Sequence, residues 1–125
     1  MGKVFIGILS IMVAGQILAH MLPAKKMFLV KYTEGVKWDP RAPYKKQIKI
    51  GDHIIYLKSL YHDGHIELGA SLSESNMGLY ILRSESLEKA NRLLSKDPAV
   101  QSGLLGFSIK PMYITMKGKP IPHVH

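Results

Sequence analysis

Apolar and polar positions change rhythm along this chain, and each change marks an element. Residues 27–33 (MFLVKYT) form a β-branched and aromatic run between Lys25-Lys26 and Glu34-Gly35, and predict a strand. Residues 34–44 hold Gly35, Trp38, Pro40 and Pro43 and predict a loop. Over residues 45–62 the spacing becomes helical: Ile50, Ile54, Leu57 and Tyr61 form one apolar stripe, with Gly51 a mild internal defect. Asp63-Gly64 ends that helix, because glycine readily takes the left-handed conformation of a helix stop.

The second half repeats the alternation. Residues 65–72 (HIELGASL) predict a strand with Ile66, Leu68 and Ala70 on one side, residues 73–76 a turn, and residues 77–83 (MGLYILR) a third strand. Ser84 or Ser86 caps the next helix, with Glu85 and Glu88 near its positive end and Leu87, Ala90 and Leu94 as its buried stripe. That helix stops at Asp97-Pro98, and one more turn runs to Gly103. Residues 104–114 contain the last strand, with Pro111 at its end or on a sheet edge, and residues 115–125 read as a tail. The order βαββαβ predicts an α+β, ferredoxin-like domain: an antiparallel four-stranded sheet with both helices on one face. The other face is left bare, and pairing with a second copy would cover it, so a homodimer is expected.

The first residues have a different character. Lys3 precedes an uncharged, mostly apolar run over residues 4–19, the layout of a secretory signal peptide occupying residues 1–24. Cleavage after Ala19 puts Ile17 at the −3 position and cleavage after Ala24 puts Leu22 there; neither is an ideal small residue. A retained anchor competes, although the run is shorter than the roughly 20 residues a spanning helix prefers. A buried core helix also competes, against the lack of a polar face. Export to a periplasmic or extracellular location is the expectation, with membrane contact only if the segment is retained.

Composition narrows the function. A chain of 125 residues with 46% hydrophobic content suits one folded domain. Without cysteine there is no disulfide, thiolate metal site or cysteine nucleophile. The formal charge of +8 comes from basic residues scattered as Lys25-Lys26, Lys45-Lys46, Lys49, Lys58, Arg92, Lys96, Lys117 and Lys119. No dense basic stripe with interleaved aromatics forms, so nucleic acid is not the expected partner; anionic small molecules or an anionic surface suit this charge equally. No phosphate-binding glycine loop and no nucleophile elbow is present.

Two residues are candidates for chemistry. His53 sits on the shoulder of the first helix's stripe, and an imidazole there is suited to act as a general base or simply to bond a backbone carbonyl. Asp97 before Pro98 has the form of a helix N-cap, and could instead orient a histidine and stabilise its charged form. Capping and orienting would compete for the same carboxylate oxygens. His62 lies about 180° around the helix from His53, so the two cannot share one helix face. His62, His65, His123 and His125 supply too few grouped ligands for a metal site to be expected. Trp38, Tyr32 and Tyr44 either line an aromatic pocket or pack the long loop onto the sheet.

The ordered series His53-Ile54-Ile55-Tyr56-Leu57, Leu60, Asp63-Gly64-His65-Ile66 and Gly69, then Ser86-Leu87-Glu88-Lys89-Ala90, Asp97-Pro98-Ala99-Val100, Gly103-Leu104 and Ile109-Lys110-Pro111, resembles the YciI-like family (YCII-related domain) of the dimeric α/β-barrel group. The resemblance covers residues 27–114. It implies a homodimeric barrel and a His/Asp active-site pair falling on His53 and Asp97, with no cofactor. Members include a dehydrochlorinase acting on a hydroxylated aromatic, while most have no established reaction. Where relatives commonly carry Gly-Pro after the second strand, this chain has Gly69-Ala70-Ser71, which alters the expected pocket wall. The expected function is an exported, cofactor-free acid/base enzyme of lyase, isomerase or dehydrohalogenase type, acting on a small anionic or aromatic molecule. The alternative is a non-catalytic ligand-binding or assembly domain.

Overall fold

The structure, a computed structural model, describes residues 24–120 and 122. The expected signal segment, apart from Ala24, and tail residues 121 and 123–125 lie outside the described residues. Among the described residues no helix is long and apolar enough to cross a membrane.

Four strands alternate with helices: β1 (Lys26–Glu34), α1 (Ile50–His62), β2 (Ile66–Ser71), β3 (Gly78–Ser84), α2 (Leu87–Ser95), α3 (Pro98–Gln101) and β4 (Leu105–Met112), with a 3₁₀ turn at Tyr44–Lys46 before α1. The strands form one antiparallel sheet in the order β2-β3-β1-β4. This α+β arrangement is compatible with a ferredoxin-like fold. Pro111 lies on the edge strand β4 opposite Phe28, where its missing N–H removes no bond to an outer neighbour.

Alternation along β1 divides the sheet into two faces. Phe28, Val30 and Tyr32 are buried and pack with Leu82, Ile50, Ala90, Leu94, Ala99 and Leu105 in a single core on the helical side. Each large apolar side chain enclosed there contributes about 1.5–3 kcal/mol. Leu29, between them, faces the other way and is 37% exposed. Cross-strand pairing puts Ile81 and Leu68 beside it, and Leu79 and Ala70 one step along. No helix among the described residues covers this apolar face.

Three local expectations change in the folded chain. On β2, Ile66, Leu68 and Ala70 do not share a side: the register shifts between Ile66 and Leu68, and Glu67 is the extra residue. Ile66 therefore points to the helices and Leu68 to the bare face, as a bulge requires. Glu67 forms an ion pair with Arg83 on β3. The helix expected from residue 45 starts only at Ile50, after the 3₁₀ turn and after Lys49, whose φ of 75° breaks the backbone path. Leu87 is exposed, and Ala90 and Leu94 are the buried side chains of α2, which is also tied to α1 by the Tyr56 hydroxyl donating to the Leu93 carbonyl.

The caps follow their sequence signals. Ser86 Oγ accepts from the Lys89 N–H at 3.1 Å, opening α2, and Gly64 at φ 80° closes α1. The loop after β1 is tied down by Gln47. Its amide donates to the carbonyls of Asp39 (2.6 Å) and Ala42 (2.8 Å) and accepts from the Asp39 N–H at 3.0 Å. Tyr44 is thereby placed against α1 and the sheet.

Candidate functional site

His53 is the residue whose setting departs furthest from its sequence pattern. It does not lie on the shoulder of a stripe made by Ile54 and Tyr61. The buried face of α1 is Ile50, His53 and Leu60, while Ile54 and Tyr61 are turned outward. His53 is only 1% exposed. A polar ring is tolerated there because partners meet it: Nδ1 lies 2.6 Å from Oδ2 of Asp97, which is 0% exposed.

Asp97 serves two purposes without conflict. Its Oδ1 accepts the Ala99 N–H at 2.9 Å and caps α3, while Oδ2 faces His53 and also accepts the Tyr32 hydroxyl at 3.3 Å. Capping and pairing use different oxygens. The carboxylate gathers donors from α1, β1 and α3, three elements that the fold brings to one point. Tyr32 meets the His53 ring edge-on, with centroids 4.8 Å apart. Burial, then the neighbouring Asp97 charge, holds the Tyr32 hydroxyl far above the usual tyrosine range, so it stays a donor.

A carboxylate oxygen accepts, so the proton of the His53–Asp97 hydrogen bond sits on Nδ1. Among the described residues no hydrogen bond reaches Nε2.

A cavity of about 550 Å³ lies beside this pair. Helix α1 supplies Ile54, Leu57, Lys58 and Tyr61 to its wall, and the 3₁₀ turn supplies Tyr44 and Lys45. The sheet supplies Ile66, Gly69, Ser71 and Tyr80, with Asn76 from the β2–β3 turn. Neither His53 nor Asp97 lines it. The link runs through aromatic rings: Tyr32 touches His53 on one side and, edge-on at 5.8 Å, Tyr80 on the other. Of the aromatics singled out from sequence, Tyr44 lines the cavity, Trp38 packs against Tyr44 at 6.2 Å, and Tyr32 belongs to the buried pair.

Tyr80, Lys58 and Tyr61 carry no motif and are not candidates in the sequence. A signal existed for Tyr80: glycines at 69 and 78 flank the position where its ring must lie. Tyr80 pairs with Gly69 across β2 and β3, and Gly78 precedes it by two residues on the same face. A Cβ on Gly69 would stand 2.8 Å from Tyr80 Cε1, and one on Gly78 would stand 2.8 Å from its hydroxyl oxygen. The ring lies across both glycines and fills the space that side chains would occupy.

Among the described residues no group of three or more His, Asp or Glu side chains could hold a metal. His62 and His65 do not join such a group, and His123 and His125 lie outside the described residues. Fold and site together define a small α+β domain with a buried histidine–aspartate pair next to a basic, tyrosine-walled cavity. Comparison with family models and with curated proteins finds no match to this chain.

Proposed function

We propose that this chain is a YciI-like domain that performs cofactor-free acid/base chemistry on a small anionic or aromatic molecule taken up by the cavity beside His53. One observation carries the reading. Nδ1 of His53 is held at 2.6 Å by Asp97, while among the described residues no hydrogen bond reaches Nε2. A histidine serving only to hold α1 to α3 would be expected to satisfy both ring nitrogens. Acid/base work in this reading uses the nitrogen that Asp97 does not hold, whose lone pair a general base requires. In this reading His53 Nε2 moves the proton, Asp97 orients the ring and stabilises the charged form, and Tyr32 fixes Asp97.

The bare sheet face supports a homodimer in which two sheets pack face to face as a barrel, with Leu29, Leu68, Leu79 and Ile81 at the contact. Lys3 and the apolar run behind it support export, which intact-mass measurement of the protein from its native envelope would test.

The test is a thermal-shift ligand screen followed by turnover assays. His53→Ala abolishes turnover of the ligand found, while Asp97→Asn lowers it and shifts its pH profile. Nitrogen-15 spectra of the imidazole show a protonated Nδ1 and a bare Nε2 in the free protein. A proton on Nε2 instead would sink the general-base role.

A second reading draws on the near-complete burial of His53 and on its absence from the cavity wall. The pair is then a structural pin and the cavity a binding site alone. His53→Ala that leaves the fate of a bound ligand unchanged would favour it.

A further inference from the structure

We propose that the cavity selects a flat aromatic carboxylate, stacked on the Tyr80 ring with its negative charge met by Lys45 and Lys58. This rests on reading the cavity as the ligand site and is independent of whether His53 turns the ligand over. The shape comes first. A tyrosine on a sheet normally stands among its neighbours, but Tyr80 lies across Gly69 and Gly78, whose missing side chains leave room for the ring. A flat ring at the sheet wall favours a flat partner in an offset stack. Leu57, Ile54 and Tyr44 complete the apolar wall, and about 550 Å³ accommodates a one-ring compound.

Charge comes second. The charged residues lining the cavity are two lysines, from two different elements, with no acid among them. Among the described residues neither lysine is paired with a carboxylate. Cations left without a counter-charge at the wall of an apolar pocket favour an anion. Tyr80 does not oppose it: burial pushes its hydroxyl up to about 12, so at neutral pH the ring carries no charge of its own.

The test titrates the purified full chain with benzoate, cyclohexanecarboxylate and benzamide, following amide resonances of the cavity residues. Benzoate binds more tightly than either analogue, by about three- to tenfold, the range expected for one aromatic stack or one exposed charge pair. Tyr80→Leu removes the preference for benzoate over cyclohexanecarboxylate, and Tyr80→Phe, which keeps the ring, retains it. Lys45→Ala with Lys58→Ala removes the preference for benzoate over benzamide. If all three probes bind in the cavity equally well, the inference is overturned and the cavity remains a ligand site. If none of them perturbs the cavity residues, both the inference and the cavity reading fall, while the tautomer of His53 is judged separately by its nitrogen spectrum. Gly78→Ala, which drives the Tyr80 ring off the sheet, should act like Tyr80→Leu if it folds.

Discussion

His53 and Asp97, 44 residues apart, meet at 2.6 Å in the interior between α1 and the start of α3. The contact joins two helices that local sequence places independently, and it does so with polar groups where an apolar pair would have sufficed. Among the described residues Asp97 is satisfied on both oxygens and His53 on one nitrogen, and that imbalance makes the pair open to experiment.

Removing the aspartate should be costly to the fold. Asp97→Ala leaves His53 buried without its partner, orphans the Tyr32 hydroxyl and uncaps α3. The expected loss is about 3–5 kcal/mol, as for other buried pairs broken from one side. Asp97→Asn, which keeps an acceptor for the cap but turns an NH2 toward His53 and the Tyr32 hydroxyl, should lose less than Asp97→Ala. Urea unfolding with an unchanged slope is the measurement.

Alkaline pH should destabilise the protein through its tyrosines. The folded-state pKa of Tyr80 is raised from 10.0 to about 12, first by burial, and those of Tyr32, Tyr44 and Tyr56 are raised as well. The unfolded chain loses these protons near pH 10 while the folded one keeps them. The stabilisation is complete below pH 10 and is lost for Tyr80 as pH rises towards 12. Unfolding midpoints should fall steeply above pH 10, and Tyr80→Phe should make the fall shallower. A flat profile in the parent protein would contradict the burial of these hydroxyls.

The bare sheet face predicts an oligomer. Sedimentation at micromolar concentration should give twice the chain mass, and Leu29→Lys, at the middle of that face, should give the single mass with the fold retained. A parent protein that stays monomeric would remove the barrel from the proposal.

Gly35 should tolerate no side chain. A Cβ there would stand 2.8 Å from the carbonyl carbon of Leu104 and closer still to the Gly103 oxygen, and backbone cannot swing aside. The same glycine donates its N–H to the Leu104 carbonyl at 2.8 Å, fastening the loop that leads to Tyr44. Gly35→Ala should cost about 3 kcal/mol and weaken benzoate binding, because Tyr44 leaves its place on the cavity wall.

Much of this protein was legible in its sequence because the relevant signals are local. Runs of strand-forming residues between turn signals placed four strands near their observed bounds, Asp97-Pro98 and Ser86 announced their caps, and Gly64 closed α1, each through interactions spanning a few residues. The pairing of His53 with Asp97 was implied by family resemblance, not by spacing. Tertiary structure alone decided which face of α1 is inside. Hydrophobicity ranks Ile54 above His53, yet Asp97 gives the histidine a hydrogen bond from another element and Tyr32 meets its ring edge-on, while Ile54 turns to the cavity. The bulge at Glu67 and the bed of Gly69 and Gly78 under Tyr80 likewise depend on strand register, which no single strand encodes. Local periodicity determined the elements; contacts between residues distant in the chain decided which side chains they bring together, because burial of a polar or bulky group is favourable only once its partners are in place.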